Sequence, residues 1–193
     1  MMARSKEFEE NAVLDKAMRL FWEQGYEKTS MNDLVERMGI HRRSLYDTFT
    51  DKRTLFLKAI DRFEARMGAR LKAAIKQSPT AAQAMRAVFD AIIDGEPDAP
   101  AGCMLVNSAA ELANRDAGID AKIVEAFAGT ERLLAEIVAW GQDGGEFTRQ
   151  YEAGALAAYL HNALAGLRVM TRTSADKDKL RQIAGMSMLI LEP

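Results

Sequence analysis

The stretch Thr29-Ser30-Met31-Asn32-Asp33-Leu34-Val35-Glu36-Arg37-Met38-Gly39-Ile40-His41-Arg42-Arg43-Ser44-Leu45-Tyr46-Asp47-Thr48-Phe49 decides how this chain folds. Met31, Leu34, Val35 and Met38 recur at i, i+3, i+4 and i+7, which gathers them on one face of a helix. Ser30 followed three residues later by Asp33 resembles a capping box, in which each side chain satisfies the other residue's orphan N–H. Gly39 tolerates the left-handed backbone that ends a helix, so this one is short. A second short helix follows over Arg42–Phe49, with Leu45 and Phe49 facing inward. Two short helices joined by a tight glycine turn form a helix-turn-helix. Its second helix normally enters the DNA major groove.

The outward face of that second helix carries donors. Arg42 and Arg43 suit guanine edges or phosphates, and His41, Ser44 and Thr48 offer shorter contacts. Arg42 and Arg43 lie in the first turn of one helix, and Lys52 and Arg53 in the first turn of the next. Cations there oppose the helix dipole by about 0.3–1 kcal/mol each. The placement makes sense if an anion lies beside those N-termini, and phosphate is the obvious one. Between Lys28 and Lys58 seven bases face four acids, a basic island on a chain of net charge −2. Such an island points to a polyanion partner for this region alone.

Outward from this motif the chain reads as helix throughout. A first helix over about 7–24 buries Val13, Leu14, Ala17, Met18 and Phe21, with Glu7, Glu9 and Glu10 near its start and Gly25 beyond its end. A long fourth helix runs from Thr50 or Asp51 to about Gln77. Five more are expected over about 81–94, 102–114, 120–141, 152–172 and 176–191. No sustained period-2 alternation competes with them, so the fold class is all-α, with about nine helices.

Composition removes several alternatives. The chain has 193 residues, 48% apolar and 28% charged, an ordinary globular balance. No apolar run is long enough for a membrane span, and the N-terminus lacks the apolar segment of a secretory signal. A single cysteine, Cys103, forbids an internal disulfide and fits a reducing cytoplasm. His41 and His161 are the only histidines, and no HExxH, CxxC, GxSxG or Walker-type loop occurs, so no enzyme activity, metal site or cofactor is expected.

The run Ala17-Met18-Arg19-Leu20-Phe21-Trp22-Glu23-Gln24-Gly25-Tyr26-Glu27-Lys28-Thr29-Ser30-Met31 strongly resembles the start of the TetR/AcrR family of bacterial transcriptional regulators. The match continues through Asp33-Leu34, Met38-Gly39-Ile40, Ser44-Leu45-Tyr46, Phe49 and Asp51-Lys52-Arg53-Thr54-Leu55-Phe56, and spans about Phe8 to Ile60. A shorter run, Gly102 to Ser108, is similar to a segment in one branch of that family. The resemblance implies an N-terminal three-helix DNA-binding domain, residues 1–51. A long helix joins it to a C-terminal bundle, residues 52–193, that dimerises and binds an inducer. Phosphate contacts would fall on Thr29 or Ser30, Tyr46 and Lys52, with Arg53 added by its place in the same helical turn. Base contacts would fall on His41, Arg42, Arg43 and Ser44. The sequence departs from the family in carrying bulky His41 and Arg43 where small residues are common, and only Arg4 and Lys6 in the N-terminal arm. The operator therefore does not transfer from relatives.

The implied function is a repressor that binds palindromic double-stranded operator DNA as a homodimer and is released by a small-molecule effector, with no membrane partner. The helix over 152–172 is apolar nearly all round and must be covered all round. It is therefore assigned, with the last helix, to the dimer interface through Leu156, Leu160, Leu164, Leu167, Ile183, Met186 and Ile190. An effector pocket is expected among Met67, Met85, Phe89, Met104, Phe127 and Trp140, with Asn107, Tyr159 and His161 as its polar members. Two rival readings are a redox-responsive regulator sensing through Cys103 and a helical protein-binding adaptor.

Overall fold

Local chemistry sets the ends of each helix. The computed structural model describes the backbone from Met2 and the side chains from Glu10 to Pro193. The side chains of Arg4, Lys6, Glu7 and Glu9 lie outside the described residues. In chain order the helices are α1 (Met2–Gln24), α2 (Met31–Met38), α3 (Arg42–Phe49), α4 (Lys52–Lys76), α5 (Ala81–Asp94), α6 (Met104–Leu112), α7 (Ala117–Asp143), α8 (Ala153–Met170) and α9 (Lys177–Met188). A single 3-10 turn, Leu189–Leu191, follows α9, and no strand occurs among the described residues.

The capping box forms: Asp33 N–H donates to Ser30 Oγ at 3.1 Å and Ser30 N–H to Asp33 Oδ2 at 2.8 Å. Gly39 adopts φ +70 and donates its N–H to Val35 O. α7 begins three residues earlier than the periodicity suggests. Asp116 caps it, accepting from the Gly118 and Ile119 N–H groups at 2.9 and 3.0 Å. α6 begins at Met104 rather than near Gly102, because Gly102 lies at φ +82 and Cys103 is extended. Between α3 and α4, Thr50 holds φ +65, an uncommon backbone for a β-branched residue. Asp51 then caps α4 through the Thr54 N–H.

Two hydrophobic cores result. In the first, Ala17, Met18 and Phe21 of α1, Leu34 and Met38 of α2 and Leu45 and Phe49 of α3 pack with Leu55, Phe56, Ile60 and Phe63 of α4. Phe21 meets Phe56 edge-on at 5.0 Å, and Trp22 meets Phe63 at 4.9 Å. Leu105 and Leu112 of α6 and Ile119 and Ile123 of α7 close the same core. A division between residues 51 and 52 is thus one of chain order, and the packing runs across it. The second core joins Leu71 of α4 with α5, the C-terminal part of α7, α8 and α9. Met67 packs against both.

The α8 leucines do not face outward as expected of a dimer interface. Leu156, Leu160, Leu164 and Leu167 are buried inside their own chain, in the second core. They form one stripe against α5 and α7. The side of α8 that reaches solvent carries Ala158, Tyr159, Asn162, Gly166 and Val169 instead. Ile183 is partly buried against the second core, whereas Met186 is 69% exposed and Leu189 and Ile190 are also exposed. No helix among the described residues is long and apolar enough to cross a membrane.

Candidate nucleic-acid interface

α3 is held by two buried anchors, Leu45 and Phe49, and everything else on its first turn faces out. His41 is its N-cap residue, extended and without a side-chain cap bond. Arg42 donates to Asn32 Oδ1 at 3.2 Å, and its guanidinium lies 6.0 Å from the Tyr46 ring centre. Arg43 is 92% exposed and touches only Asp47, at 3.7 Å. Ser44 and Tyr46 are exposed beside it. Five donor-bearing side chains thus share one short solvent face, with α2 bracing it through Asn32.

The flanking residues divide. Ser30 is exposed at the start of α2, and Lys52 stands over the Tyr26 ring at 4.2 Å with no carboxylate partner among the described residues. Thr29, by contrast, is fully buried and donates its hydroxyl to Gly25 O at 2.6 Å, which closes the α1–α2 turn. Arg53 is clamped by both oxygens of Asp116, through Nε at 2.6 Å and Nη2 at 2.8 Å. The guanidinium and the cap N–H groups hold the Asp116 carboxyl far below the usual carboxylate range. Arg53 therefore ties the start of α4 to the start of α7, and its charge is already matched.

A second tie has no signal in the sequence. Glu111 of α6 accepts the backbone N–H groups of Tyr26 and Glu27 at 3.0 and 2.8 Å. Gly25 holds φ +86, which favours glycine, and a side chain there would push the Glu111 carboxylate off the two N–H groups it accepts from. The α6–α7 corner thus holds the α1–α2 turn at one point and the start of α4 at another.

The residues expected to line an effector pocket scatter. Met85 and Phe89 pack in the second core and Met104 in the first. Trp140 and Tyr159 are 40% and 51% exposed and face outward from α7 and α8. Phe127 meets the His161 ring edge-on at 5.1 Å. His161 is buried, with Nδ1 3.1 Å from Glu131 Oε1, and burial pushes its pKa down. Asn107 is half-buried on α6, and its Nδ2 has no partner. Of these residues, Met67 lines two cavities and Phe89 a third, and no cavity brings two of them together. Cys103 is buried at the start of α6 and packs as a small apolar residue. No cluster of metal-ligating side chains occurs among the described residues.

Comparison with known proteins agrees with this architecture. The family model for bacterial regulatory proteins of the tetR family matches residues 13–59, and that for a tetracyclin repressor-like C-terminal domain matches residues 81–186. The HTH-type transcriptional repressor ComR of Escherichia coli (strain K12) is 34% identical over 188 residues, 96% of this chain and 90% of ComR. The uncharacterized HTH-type transcriptional regulator YezE of Bacillus subtilis (strain 168) is 30% identical over 198 residues, 99% of this chain and all of YezE. A cysteine-substituted form of the TetR family regulator CifR, solved with 26-base-pair double-strand operator DNA, shares the fold. Its TM-score is 0.83 at 23% identity, covering 93% of this chain and 95% of CifR.

Proposed function

Because the chain belongs to the tetR family of bacterial regulatory proteins and is a DNA-binding transcriptional regulator, we propose that it is a repressor acting in the cytoplasm. It binds a palindromic operator as a homodimer and lets go when a small molecule occupies the C-terminal domain. Residues 1–51 read DNA, and residues 52–193 pair the subunits and take the effector. The observation that carries this reading is the solvent face of α3, where His41, Arg42, Arg43, Ser44 and Tyr46 stand exposed on a helix fixed by Leu45 and Phe49. Base edges fall to His41, Arg42, Arg43 and Ser44. Phosphates fall to Ser30, Tyr46 and Lys52, while Thr29 and Arg53 serve the scaffold. ComR, similar along nearly the whole chain, is a repressor by name.

The homodimer rests on the outer faces of α8 and α9. Tyr159, Val169, Met186, Leu189 and Ile190 form an exposed apolar surface of the kind that marks a protein interface. Two copies of α3 spaced by about one helical turn of DNA, roughly 34 Å, then meet two half-sites. Release works as a population shift: the effector must bind better to the state whose α3 spacing misfits the operator. Glu111 and Asp116 supply the mechanical path, since from the α6–α7 corner one holds the α1–α2 turn and the other the start of α4.

Selection of bound fragments from genomic DNA tests the reading. It should return a palindrome, with affinity falling steeply as salt rises because phosphate contacts release counterions. A chain that stays monomeric and ignores duplexes at low salt overturns it.

A further inference from the structure

Arg168 is a buried cation without a partner. Only 3% of it is exposed, and neither Nε nor Nη1 meets an acceptor. It sits on α8 two turns along from His161 on the same face, and no carboxylate lies within ion-pair distance of it among the described residues. Trp22 of α1 is also buried, and its indole N–H is likewise without an acceptor. Both residues line one cavity of about 180 Å³, enclosed by α1, α4, the α5–α6 loop and the C-terminal end of α8. Buried donors are almost always satisfied, so two orphans on residues that line one space point to an acceptor that the chain does not itself supply.

The other charges around that space are already committed. Glu96 takes Arg66, Asp94 takes Lys177 and Arg181, and Arg70 donates to Gly95 O. The walls between are apolar, from Met67, Ile92 and Pro100 among others. A group that accepts from both Arg168 and Trp22, donates to neither and has a small apolar body is a carboxylate. Arg168 would take its oxygens in a charge-assisted pair, and the indole N–H would take a remaining lone pair.

We propose that this cavity binds a small organic carboxylate through Arg168 and Trp22, and that this anion is the effector. The proposal rests on the effector reading above and narrows it to a ligand class. The position gives the ligand leverage, because Trp22 belongs to the helix that supports the helix-turn-helix and Arg168 to the C-terminal bundle. Trp22 lies three residues before Gly25, which stands in the turn that Glu111 grips.

The test uses benzoate as probe, with benzyl alcohol as its uncharged counterpart and inorganic phosphate as a bodiless anion. In full-length protein carrying Trp140→Phe, Trp22 is the only tryptophan. Benzoate should change Trp22 emission saturably and raise the Tm, and neither comparison compound should match it. Arg168→Met should lower benzoate affinity at least tenfold, and Arg168→Lys less. Trp22→Phe, read by calorimetry, should weaken benzoate several-fold and serves as the second variant if Arg168→Met fails to fold. Benzyl alcohol or phosphate binding as tightly as benzoate overturns the proposal. So does unchanged benzoate affinity in Arg168→Met, or no response to benzoate at millimolar concentration. Operator binding separates the two readings. Benzoate that binds through Arg168 without loosening DNA leaves the anion site standing and removes the effector role. Release by an uncharged compound, undiminished in Arg168→Met, does the reverse.

Discussion

Arg53 and Asp116 are joined by two parallel hydrogen bonds across 63 residues of chain, one oxygen of the carboxylate also capping α7. One side chain thereby fixes the start of two helices, α4 directly behind the helix-turn-helix and α7 deep in the C-terminal bundle. Asp116→Asn keeps an oxygen for the cap and removes the charge that orients Arg53. Operator affinity should drop on the order of fivefold, because the spacing of the two α3 helices becomes less defined. Fluorescence anisotropy on labelled operator reads this, and an unchanged affinity would reduce the pair to surface decoration. The Asp116 carboxyl is depressed when folded, so the tie is intact above the ordinary carboxylate value near 3.8 and is lost only as pH falls towards the folded value.

Tyr46 and Arg43 are expected to fail differently. Tyr46→Phe deletes a hydroxyl proposed to meet phosphate, so operator and nonspecific duplex should weaken together. Arg43→Ala should cost about 1–3 kcal/mol on operator alone and relax preference at one base position. Competition binding on a set of single-base operator variants distinguishes the patterns. Equal loss for both substitutions on all sequences would reverse the assignment.

Thr29 is assigned to the turn and not to DNA. Thr29→Val removes the hydroxyl from Gly25 O and should lower unfolding stability by about 1 kcal/mol. Operator affinity of the folded protein should stay as it was. If urea denaturation is unaltered while DNA binding weakens, the hydroxyl serves the phosphate instead.

Much of this was legible in advance, and the reasons for the remainder are physical. Ser30, Asp33 and Gly39 specify their helix ends within a few residues, so α2 and α3 follow from short-range chemistry. Arg53 with Asp116 and Glu111 with Tyr26 are long-range pairs, and nothing near either member announces the other. Such pairs form only when the tertiary fold delivers both ends. α8 was readable more fully than its apolar content suggests. Leu156, Leu160, Leu164 and Leu167 share one stripe, while Ala158, Tyr159, Asn162, Gly166 and Val169 share the other. The larger side chains are the ones drawn into the subunit's own core. Arg168 stands near the end of that helix as an ordinary last-turn base, and its isolation appears only once its neighbours are placed.

The buried side of α8 and the exposed side of α9 should respond differently to mutation. Leu160→Ala should cost about 2–5 kcal/mol through lost burial and the cavity left behind. Met186→Glu, on exposed α9, should leave each subunit folded and shift sedimentation towards monomer. A Met186→Glu protein that remains dimeric at micromolar concentration moves the interface elsewhere.

His161 makes stability depend on pH near neutrality. Burial lowers its pKa below the free value of 6.5, the Glu131 hydrogen bond opposes that, and the Arg168 charge adds to it. Below 6.5 the unfolded chain takes up a proton that the folded chain refuses. Stability therefore falls as pH drops from about 6.5 towards the folded pKa, and recovers above it. The urea midpoint should fall more between pH 7 and pH 5 in the wild type than in His161→Phe. Parallel losses in both proteins would place the proton uptake on other groups.

α4 has one end in each hydrophobic core. At 1.5 Å per residue its 25 residues make a rod about 37 Å long. Pivoted near Met67, such a rod acts as a lever: its arm to Lys52 is about 22 Å, and a tilt of roughly 5° carries that tip through about 2 Å. In a symmetric pair the two tips swing in opposite senses, so the mismatch with a rigid duplex doubles. A sub-ångström rearrangement around a small guest is thereby geared up to the scale on which adjacent base pairs are told apart.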